Sequence, residues 1–317
     1  MARPATSPVV DPPYAPDSLT GRRSTTALIA TSLRPEQWTK NLLVFAGALF
    51  GGRLLHPADV GLAVATFGIF CALSGAVYLV NDWSDREVDR RHPLKRARPI
   101  AAGQLSAGAV LGTSAVLALG AIAAAALVNT ALAAVATGYL VLLLAYSAFL
   151  KHLVIIDALT IAGGFVLRAV AGAVAIEVPI GQWLLVCTTL LALFLALSKR
   201  RHELTLLAEG ATDHRRILEE YTPYLLDQMI AVVTASTLVA YTVYATSPDT
   251  AGRLGSARLG LTIPFVLYGI FRYLYLVHQK RGGGSPAALL VTDRPLLACV
   301  ALWAASVALI LYSPLGR

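Results

Sequence analysis

The sequence predicts an all-α fold, a polytopic membrane bundle of about nine transmembrane helices. Of its 317 residues, 56% are hydrophobic and 14% are charged, whereas soluble domains carry about 25% charged residues. The mean hydropathy is +0.66, and the apolar residues gather in runs of roughly 20, enough to span a bilayer. Because a soluble surface cannot cover so much apolar side chain, the composition argues against a soluble enzyme, a disordered protein and a nucleic-acid-binding module.

Nine apolar runs are the candidate spanning helices. The first and the fifth are the least clean, because the first carries Arg34 and Lys40 and the fifth carries Asp157 and Arg168. In chain order the runs cover residues 27–51, 58–81, 104–128, 130–150, 153–176, 180–198, 223–246, 258–278 and 294–313.

The segments outside these runs define the predicted domain organisation. Residues 1–25 contain five prolines and scattered Ser and Thr, which predicts a disordered cytoplasmic tail. Residues 26–317 form one predicted transmembrane catalytic domain with long cytoplasmic loops at 82–103 and 199–222. The three cysteines lie in apolar runs without metal or disulfide spacing, so we interpret them as buried thiols: Cys71, Cys187 and Cys299.

The distribution of Lys and Arg predicts the orientation in the membrane. If the N-terminus is cytoplasmic, 20 of the 26 Lys and Arg residues lie in inside segments and 4 lie in outside segments. The net charge of +8 is then explained by positive cytoplasmic loops rather than by nucleic-acid binding. We therefore expect a multi-pass plasma-membrane protein whose N-terminus and long loops face the cytoplasm.

An acidic segment opens the first long loop. If the second helix continues through it, Asn81, Asp85 and Asp89 share one face, because they are spaced four residues apart. Asp82 lies on a neighbouring strip, and Tyr78 precedes Asn81 by one turn. Carboxylates so close would repel unless a cation lay between them. Oxygen ligands with few carboxylates suit Mg²⁺, which keeps waters and binds substrate diphosphates.

The acidic segment could be a functional site or a solvated acidic helix end. The basic residues near it favour a functional site. Lys95 and Arg98 follow it directly, and an acidic cluster beside a basic one suits a metal-bridged phosphate ester. Lys40 lies just inside the first run, on the same cytoplasmic side; alone it could merely extend towards water. Lys199 and Arg200, at the start of the second loop, are also placed to bind a phosphate.

The fifth run carries charge into the membrane. Asp157 and Arg168 are eleven residues apart, so they share a helix face about 16 Å apart along the axis. Asp157 then lies near the cytoplasmic rim, and Arg168 lies deep, where an ionised group usually marks a functional site. The alternative is a structural partner for another buried polar group. Tyr146 and Lys151 precede this helix, and Gly172 permits close helix packing.

Together these motifs resemble the UbiA superfamily of intramembrane prenyltransferases, which has nine helices and an acidic motif after the second, here Asn81-Asp82-x-x-Asp85-x-x-x-Asp89. The closer resemblance is to its decaprenyl-phosphate phosphoribosyltransferase branch. The sequence stretches that carry it are Arg34-Pro35-x-x-Trp38-x-Lys40-Asn41, Tyr146-Ser147-x-x-Leu150-Lys151, Asp157, Gly164-Phe165-x-Leu167-Arg168-Ala169-x-Ala171-Gly172 and Ser198-Lys199-Arg200-Arg201-x-Glu203-Leu204.

One departure from the superfamily pattern favours this branch. Prenyltransferases of the group usually show a second Asp-x-x-x-Asp after helix 6, where this chain has Lys199, Arg200 and Arg201. The resemblance implies transfer of 5-phosphoribose from 5-phosphoribosyl 1-diphosphate to a polyprenyl (decaprenyl) phosphate, releasing diphosphate. It also implies Mg²⁺ as cofactor and a role in making arabinan precursors for the cell wall.

The resemblance and the residue patterns together assign roles to the polar residues. The expected catalytic residues are Asp82, Asp85, Asp89 and Asp157. The expected metal ligands are Asn81, Asp85 and Asp89. The expected substrate-binding residues are Lys40, Tyr78, Lys95, Arg98, Tyr146, Lys151, Arg168, Lys199 and Arg200.

Two alternative functions stay open at this stage. A prenyltransferase that attaches a prenyl chain to an aromatic or small acceptor shares the fold and the first acidic motif. A transporter would use Asp157 and Arg168 as a relay, since transporters place charge near the membrane midplane. Most chemistry-capable residues gather at the cytoplasmic rim instead, which favours an enzyme. The oligomeric state is left open.

Overall fold

The computed structural model describes residues 24–93, 95–208, 216–280, 289–290 and 292–313. Nearly all of the predicted tail and part of the second predicted loop lie outside these residues. The α-helices are α1 Thr25–Ser32, α2 Ala46–Phe50, α3 Pro57–Ser84, α4 Arg86–Arg91, α5 Ala107–Val128, α6 Thr130–Ala148, α7 Ile156–Ala175, α8 Gln182–Ala208, α9 Pro223–Thr246, α10 Pro248–Leu254, α11 Ile263–Gln279 and α12 Arg294–Tyr312. Short 3₁₀ helices connect several of them, and the longest covers Pro35–Phe45.

Within the described residues, eight helices are long and apolar enough to cross a membrane: α3, α5, α6, α7, α8, α9, α11 and α12. They correspond to the second to ninth apolar runs of the sequence. The prediction of an all-α, multi-pass membrane bundle is therefore confirmed. All three cysteines are free, with Cys71 and Cys299 buried and Cys187 half-buried.

The first predicted helix is divided into α1, the 3₁₀ helix Pro35–Phe45 and α2. Arg34, at the first break, adopts a left-handed conformation with φ 54° and ψ 65°. The cause is Pro35, which has no N–H to continue the helix and disfavours the α-helical region for the residue before it. An 11-residue 3₁₀ helix is long, since such runs rarely exceed four residues. The break lies beside the acidic segment.

Helices α3 and α7 lie at the centre of the bundle. In their apolar windows 56% of residues are buried, against 17–39% in the other six spanning helices. Helix α7 packs against α6, α8 and the divided first segment, whereas α3 packs chiefly against α5. The polar residues of α3 and α7 therefore face the protein interior rather than lipid.

Two glycines bring the divided first segment into backbone contact with α7. A Cβ atom built on Gly172 would lie 1.7 Å from the Val44 carbonyl oxygen, and one on Gly47 would lie 2.6 Å from the Ala173 nitrogen. Such close approach between helices requires residues without a side chain. This contact fixes Lys40 and Asn41, in the same 3₁₀ helix as Val44, against α7.

We predict that Gly172→Ala destabilises the protein. The new methyl group meets rigid backbone, so we expect a loss of about 1–3 kcal/mol or more, as in other overpacked cores. The measurement is thermal unfolding of the purified protein in detergent. Gly112→Ala is the control, because a Cβ there meets no atom within 4 Å. If both variants melt alike, the close packing is not a constraint on the fold.

Candidate active site

The acidic segment joins α3 to α4 with almost no interruption. Helix α3 ends at Ser84, Asp85 is the single residue between the helices, and α4 begins at Arg86. The helical hydrogen bonds continue, with the Asp85 nitrogen 2.9 Å from the Asn81 oxygen and the Asp89 nitrogen 2.8 Å from the Asp85 oxygen. The predicted four-residue spacing along one helical path is therefore confirmed.

Two of the three carboxylates are buried in ion pairs. Asp82 accepts hydrogen bonds from Arg34 at 2.5 Å and from Arg98 at 3.3 Å. Asp89 accepts one from Arg98 at 2.7 Å and lies 3.8 Å from the Lys95 ammonium. Arg98 thus bridges both carboxylates and clamps the basic part of the loop onto the acidic part.

Asp85 is the accessible carboxylate of the three. Its side chain is 38% exposed, against 4% for Asp82 and 5% for Asp89. The Lys151 ammonium donates to both Asp85 oxygens, at 3.0 and 3.2 Å. Asn81 is half-buried one turn before it.

Of the expected metal ligands Asn81, Asp85 and Asp89, the structure therefore leaves Asn81 and Asp85 partly accessible and holds Asp89 in ion pairs with Arg98 and Lys95. The described residues contain no group of three or more His, Cys, Asp or Glu side chains placed to hold a metal. The reason is that Arg34 and Arg98 withdraw Asp82 and Asp89 into ion pairs. What remains is Asp85 with the Asn81 amide, a donor set that fits Mg²⁺ only where substrate phosphates and waters complete the coordination.

Arg168 lies deep in the bundle, as predicted, at the centre of a buried polar network. Its Nε donates to the Asn41 Oδ1 atom at 2.6 Å, and its Nη2 donates to the Tyr139 hydroxyl at 2.6 Å. The Ser74 hydroxyl lies 3.1 Å from that of Tyr139 and 3.4 Å from Asn41 Oδ1. The charge is thus satisfied by neutral groups, so the network keeps its positive charge.

Lys40 faces the same interior. It is half-buried, and its electrostatic neighbours include the cations Lys199, Arg168 and Arg34. In the described part of the chain no carboxylate lies within ion-pair distance of Lys40. Tyr78 shares two of these neighbours, Arg34, whose guanidinium is 5.0 Å from the ring centroid, and Arg168. Against these three cations the same surroundings hold one carboxylate, Glu36, and such an excess of positive charge favours the binding of an anion.

Asp157 and Arg200 form a fully buried ion pair that is separate from the pairs of Asp82, Asp85 and Asp89. Arg200 Nε donates to Asp157 at 2.8 Å, and Arg200 also pairs with Glu203. Asp157 is 0% exposed and Arg200 is 1% exposed. This arrangement leaves neither group free to touch a substrate, contrary to the expected roles in catalysis and substrate binding, and it favours a positioning role.

Tyr221 completes this buried cluster. Its hydroxyl donates to Asp157 at 3.1 Å and accepts from the Ile155 nitrogen at 2.7 Å. Burial raises the pKa of Tyr221, so the hydroxyl stays protonated at neutral pH. Ile155 has φ of +68°, which is strained for a β-branched residue, and the bond to Tyr221 holds it. The cluster thereby fixes the start of α7.

The remaining predicted residues lie around the same rim. Lys199 is 43% exposed on its side chain and lies 4.0 Å from Glu203. Tyr146 is half-buried and lies near Arg200. Arg201 pairs with Asp227 at 3.0 Å on the far side of α8. Of the three basic residues that open the second loop, Lys199 is the one that is an electrostatic neighbour of Lys40.

Four residues of the site had no role in the sequence-based prediction. They are Arg34, Asn41, Tyr139 and Tyr221. Arg34 and Asn41 occur in the motif around Lys40, so their position next to a deep lysine was a usable signal. Tyr139 lies within an apolar helix, and Tyr221 lies 64 residues from Asp157 in the sequence, so only the fold reveals their contacts.

The model of the UbiA prenyltransferase family matches residues 41–292. The chain is 34% identical to the decaprenyl-phosphate phosphoribosyltransferase of Mycolicibacterium smegmatis over 294 residues, covering 89% of this chain and 91% of that protein. It is 33% identical to the enzyme of the same name from Corynebacterium glutamicum over 286 residues, covering 89% and 86%.

Solved structures share the fold. A UbiA homolog from Archaeoglobus fulgidus bound to DMAPP and Mg²⁺ superposes with a TM-score of 0.68, covering 88% of this chain and 97% of that chain at 18% identity. The same homolog bound to GPP and Mg²⁺ gives 0.67. At this level of identity the likeness concerns the fold alone.

We predict that Asp157→Asn lowers the stability of the protein strongly and that Asp85→Asn lowers it only slightly. Losing the Asp157 charge leaves Arg200 buried without its full partner, which costs about 3–5 kcal/mol in comparable buried pairs. Asp85 is partly exposed, so its loss costs under about 1 kcal/mol. Thermal unfolding in detergent measures both. Equal melting temperatures for the two variants would contradict the positioning role of Asp157.

Proposed function

We propose, from the premise that the chain belongs to the UbiA prenyltransferase family, that it is a membrane phosphoribosyltransferase. It moves 5-phosphoribose from 5-phosphoribosyl 1-diphosphate to a polyprenyl phosphate such as decaprenyl phosphate and releases diphosphate. The product feeds the synthesis of cell-wall arabinan. The identity of about a third to two enzymes of this name, over nearly the whole chain, supports the proposal.

The observation that carries the proposal is the cationic interior around Lys40. A reaction between a diphosphate ester and a lipid phosphate brings two strongly anionic groups together, and each needs its own cations. Asp85 with Lys151 offers one anchoring point, and Lys40 with Lys199 offers another. A prenyl transfer to a neutral acceptor needs only the first of these.

Asp85 and Asn81 are the residues that would hold a Mg²⁺ ion. When bound, the metal neutralises the leaving diphosphate and so assists cleavage of its bond to C1. Lys151, at 3.0 Å from Asp85, lies ready to bind a diphosphate oxygen there. Lys95 and Arg98 line the entry from the cytoplasm and hold Asp82 and Asp89 in place.

The lipid phosphate is assigned to Lys40 and Lys199. It is already an anion, so its attack on C1 requires no general base, and direct displacement inverts the configuration at C1. Arg168 supports the site from below as a fixed positive charge, because its hydrogen bonds go to Asn41, Tyr139 and Gly164. Tyr78, which has Arg34 and Arg168 as electrostatic neighbours, is assigned to the sugar phosphate.

The orientation that suits this chemistry places the N-terminus and the site at the cytoplasmic face of the plasma membrane. The sugar donor is water-soluble and the acceptor is a lipid, so the reaction belongs at the membrane surface. The Lys and Arg distribution supports this placement.

The alternative is a prenyl transfer to an aromatic or small acceptor. It is favoured by the shared fold with a UbiA homolog whose structures contain GPP or DMAPP with Mg²⁺. The mass of the product separates the two reactions. A phosphoribosyl transfer adds a pentose phosphate to a lipid phosphate, whereas a prenyl transfer adds a lipid to a small acceptor.

We predict that purified protein with Mg²⁺, labelled phosphoribosyl diphosphate and decaprenyl phosphate forms lipid-linked phosphoribose. Chelation of divalent cations abolishes the reaction. Asp85→Asn lowers kcat by about 10²-fold or more, because it removes the accessible carboxylate of the site. Lys95→Gln, a rim variant, loses much less. A normal rate in Asp85→Asn would refute the metal assignment.

We predict that Lys40→Met raises KM for the lipid phosphate more than for the sugar donor. One charge-assisted contact to phosphate corresponds to roughly 10–100-fold in affinity. Lys40→Arg keeps the charge and recovers part of the loss. Initial rates with each substrate varied in turn measure both constants. An equal rise in the two KM values would contradict the assignment of Lys40 to the lipid phosphate.

A further inference from the structure

A cavity lies on the face of the bundle opposite the proposed active site. Its walls are the end of α2, the last turns of α7, the start of α8 and the short helix α10. Ala173 in this wall follows Asp157 by 16 residues of α7, a distance of about 24 Å along the helix. The cavity encloses about 240 Å³, less than the 300–1,000 Å³ of typical small-molecule pockets. Its size suits a headgroup rather than either proposed substrate.

Two arginines line this cavity, Arg53 and Arg253. Among the described residues the loops of this face carry one further arginine, Arg258, so the cations are concentrated here. Arg253 pairs with the exposed Asp249 at 2.6 Å, and Arg53 lies 3.6 Å from Asp59. Exposed pairs of this kind are weak, and a guanidinium has five N–H donors. Both arginines therefore keep donors for an anion in the cavity.

Thr250 provides an independent sign of a ligand. It lines the cavity, is 2% exposed, and its hydroxyl has no hydrogen-bond partner within the described structure. A buried hydroxyl without a partner costs free energy. The hydroxyl oxygen itself lies just beneath the cavity wall, so a small rotation of the Thr250 side chain would bring it to an acceptor oxygen bound in the cavity.

Gly181 packs closely against the Arg253 guanidinium. A Cβ built on Gly181 would lie 3.2 Å from both terminal nitrogens of Arg253. A methyl group there would shift the guanidinium by a few tenths of an ångström without removing any charge.

The geometry points to a binding site for the phosphate of a phospholipid headgroup, with Arg53, Arg253 and Thr250 as donors. Phe50 and Leu184 supply apolar wall for the lipid beyond the headgroup. The Glu177 carboxylate in the same wall suits an ammonium next to the phosphate, so phosphatidylethanolamine is the probe. The site lies away from the proposed active site and does not depend on the proposed reaction.

The test titrates phosphatidylethanolamine into the detergent-solubilised full-length protein, followed by native mass spectrometry and thermal unfolding. Diacylglycerol and inorganic phosphate are the parallel ligands. We expect saturable binding of the phospholipid, weakened roughly tenfold or more by Arg253→Gln, which removes a charged donor, and weakened less by Gly181→Ala, which only shifts that donor. Arg258→Gln is the matched control, with the same charge lost on the same face, and it leaves binding unchanged.

Thr250→Val gives a signature that a purely structural role does not. Without lipid the variant melts at a higher temperature than the parent, because an unpartnered buried hydroxyl is gone. With lipid its gain in melting temperature is smaller than that of the parent. Equal binding in the parent and Arg253→Gln, or equal binding of diacylglycerol, overturns the site. If inorganic phosphate alone raises the melting temperature as much as the phospholipid does, the assignment to a lipid is overturned and the cavity is a site for the free anion.

Discussion

The clamp of Arg34 and Arg98 on Asp82 and Asp89 is the interaction on which the proposed site depends. Three carboxylates within two helical turns repel one another, and burial of any of them demands a paired cation. The two arginines satisfy two of the carboxylates and tie the divided first segment, α3 and the basic loop together. Asp85 is left accessible beside Lys151. Which carboxylate is buried in an ion pair and which stays accessible is thus set by which of them an arginine can reach.

The break at Pro35 makes this clamp possible. In a continuous first helix the chain would pass straight through Arg34. The left-handed turn at Arg34 instead redirects the chain, so that the Arg34 guanidinium meets Asp82. The following 3₁₀ helix is held against α7 through Gly172, which places Lys40 and Asn41 next to Arg168. Helix breaks inside membrane proteins are tolerated where the chain lines a polar interior, because the freed backbone groups find partners there.

Much of this architecture could be predicted from the sequence, and the features that could not be predicted have physical causes. Apolar runs predicted the spanning helices, since bilayer thickness imposes a helix length that the local sequence reveals. The spacing of Asn81, Asp85 and Asp89 predicted their common helical path. Partner choice was not predictable, because the contacts of Asp157 with Arg200 and Tyr221 join positions 43 and 64 residues apart.

The basic residues that open the second loop explain how one fold can serve anionic lipid acceptors. In place of a second acidic motif, Lys199, Arg200 and Arg201 follow one another on α8, so they point in three directions around the helix. Arg200 turns inward to Asp157 and stabilises the bundle, and Arg201 turns to Asp227. Only Lys199 joins Lys40. Basic residues at this position therefore add one cation, Lys199, to the surroundings of Lys40, because Arg200 and Arg201 are held in ion pairs with Asp157 and Asp227. That cation supports the proposed binding of a lipid phosphate.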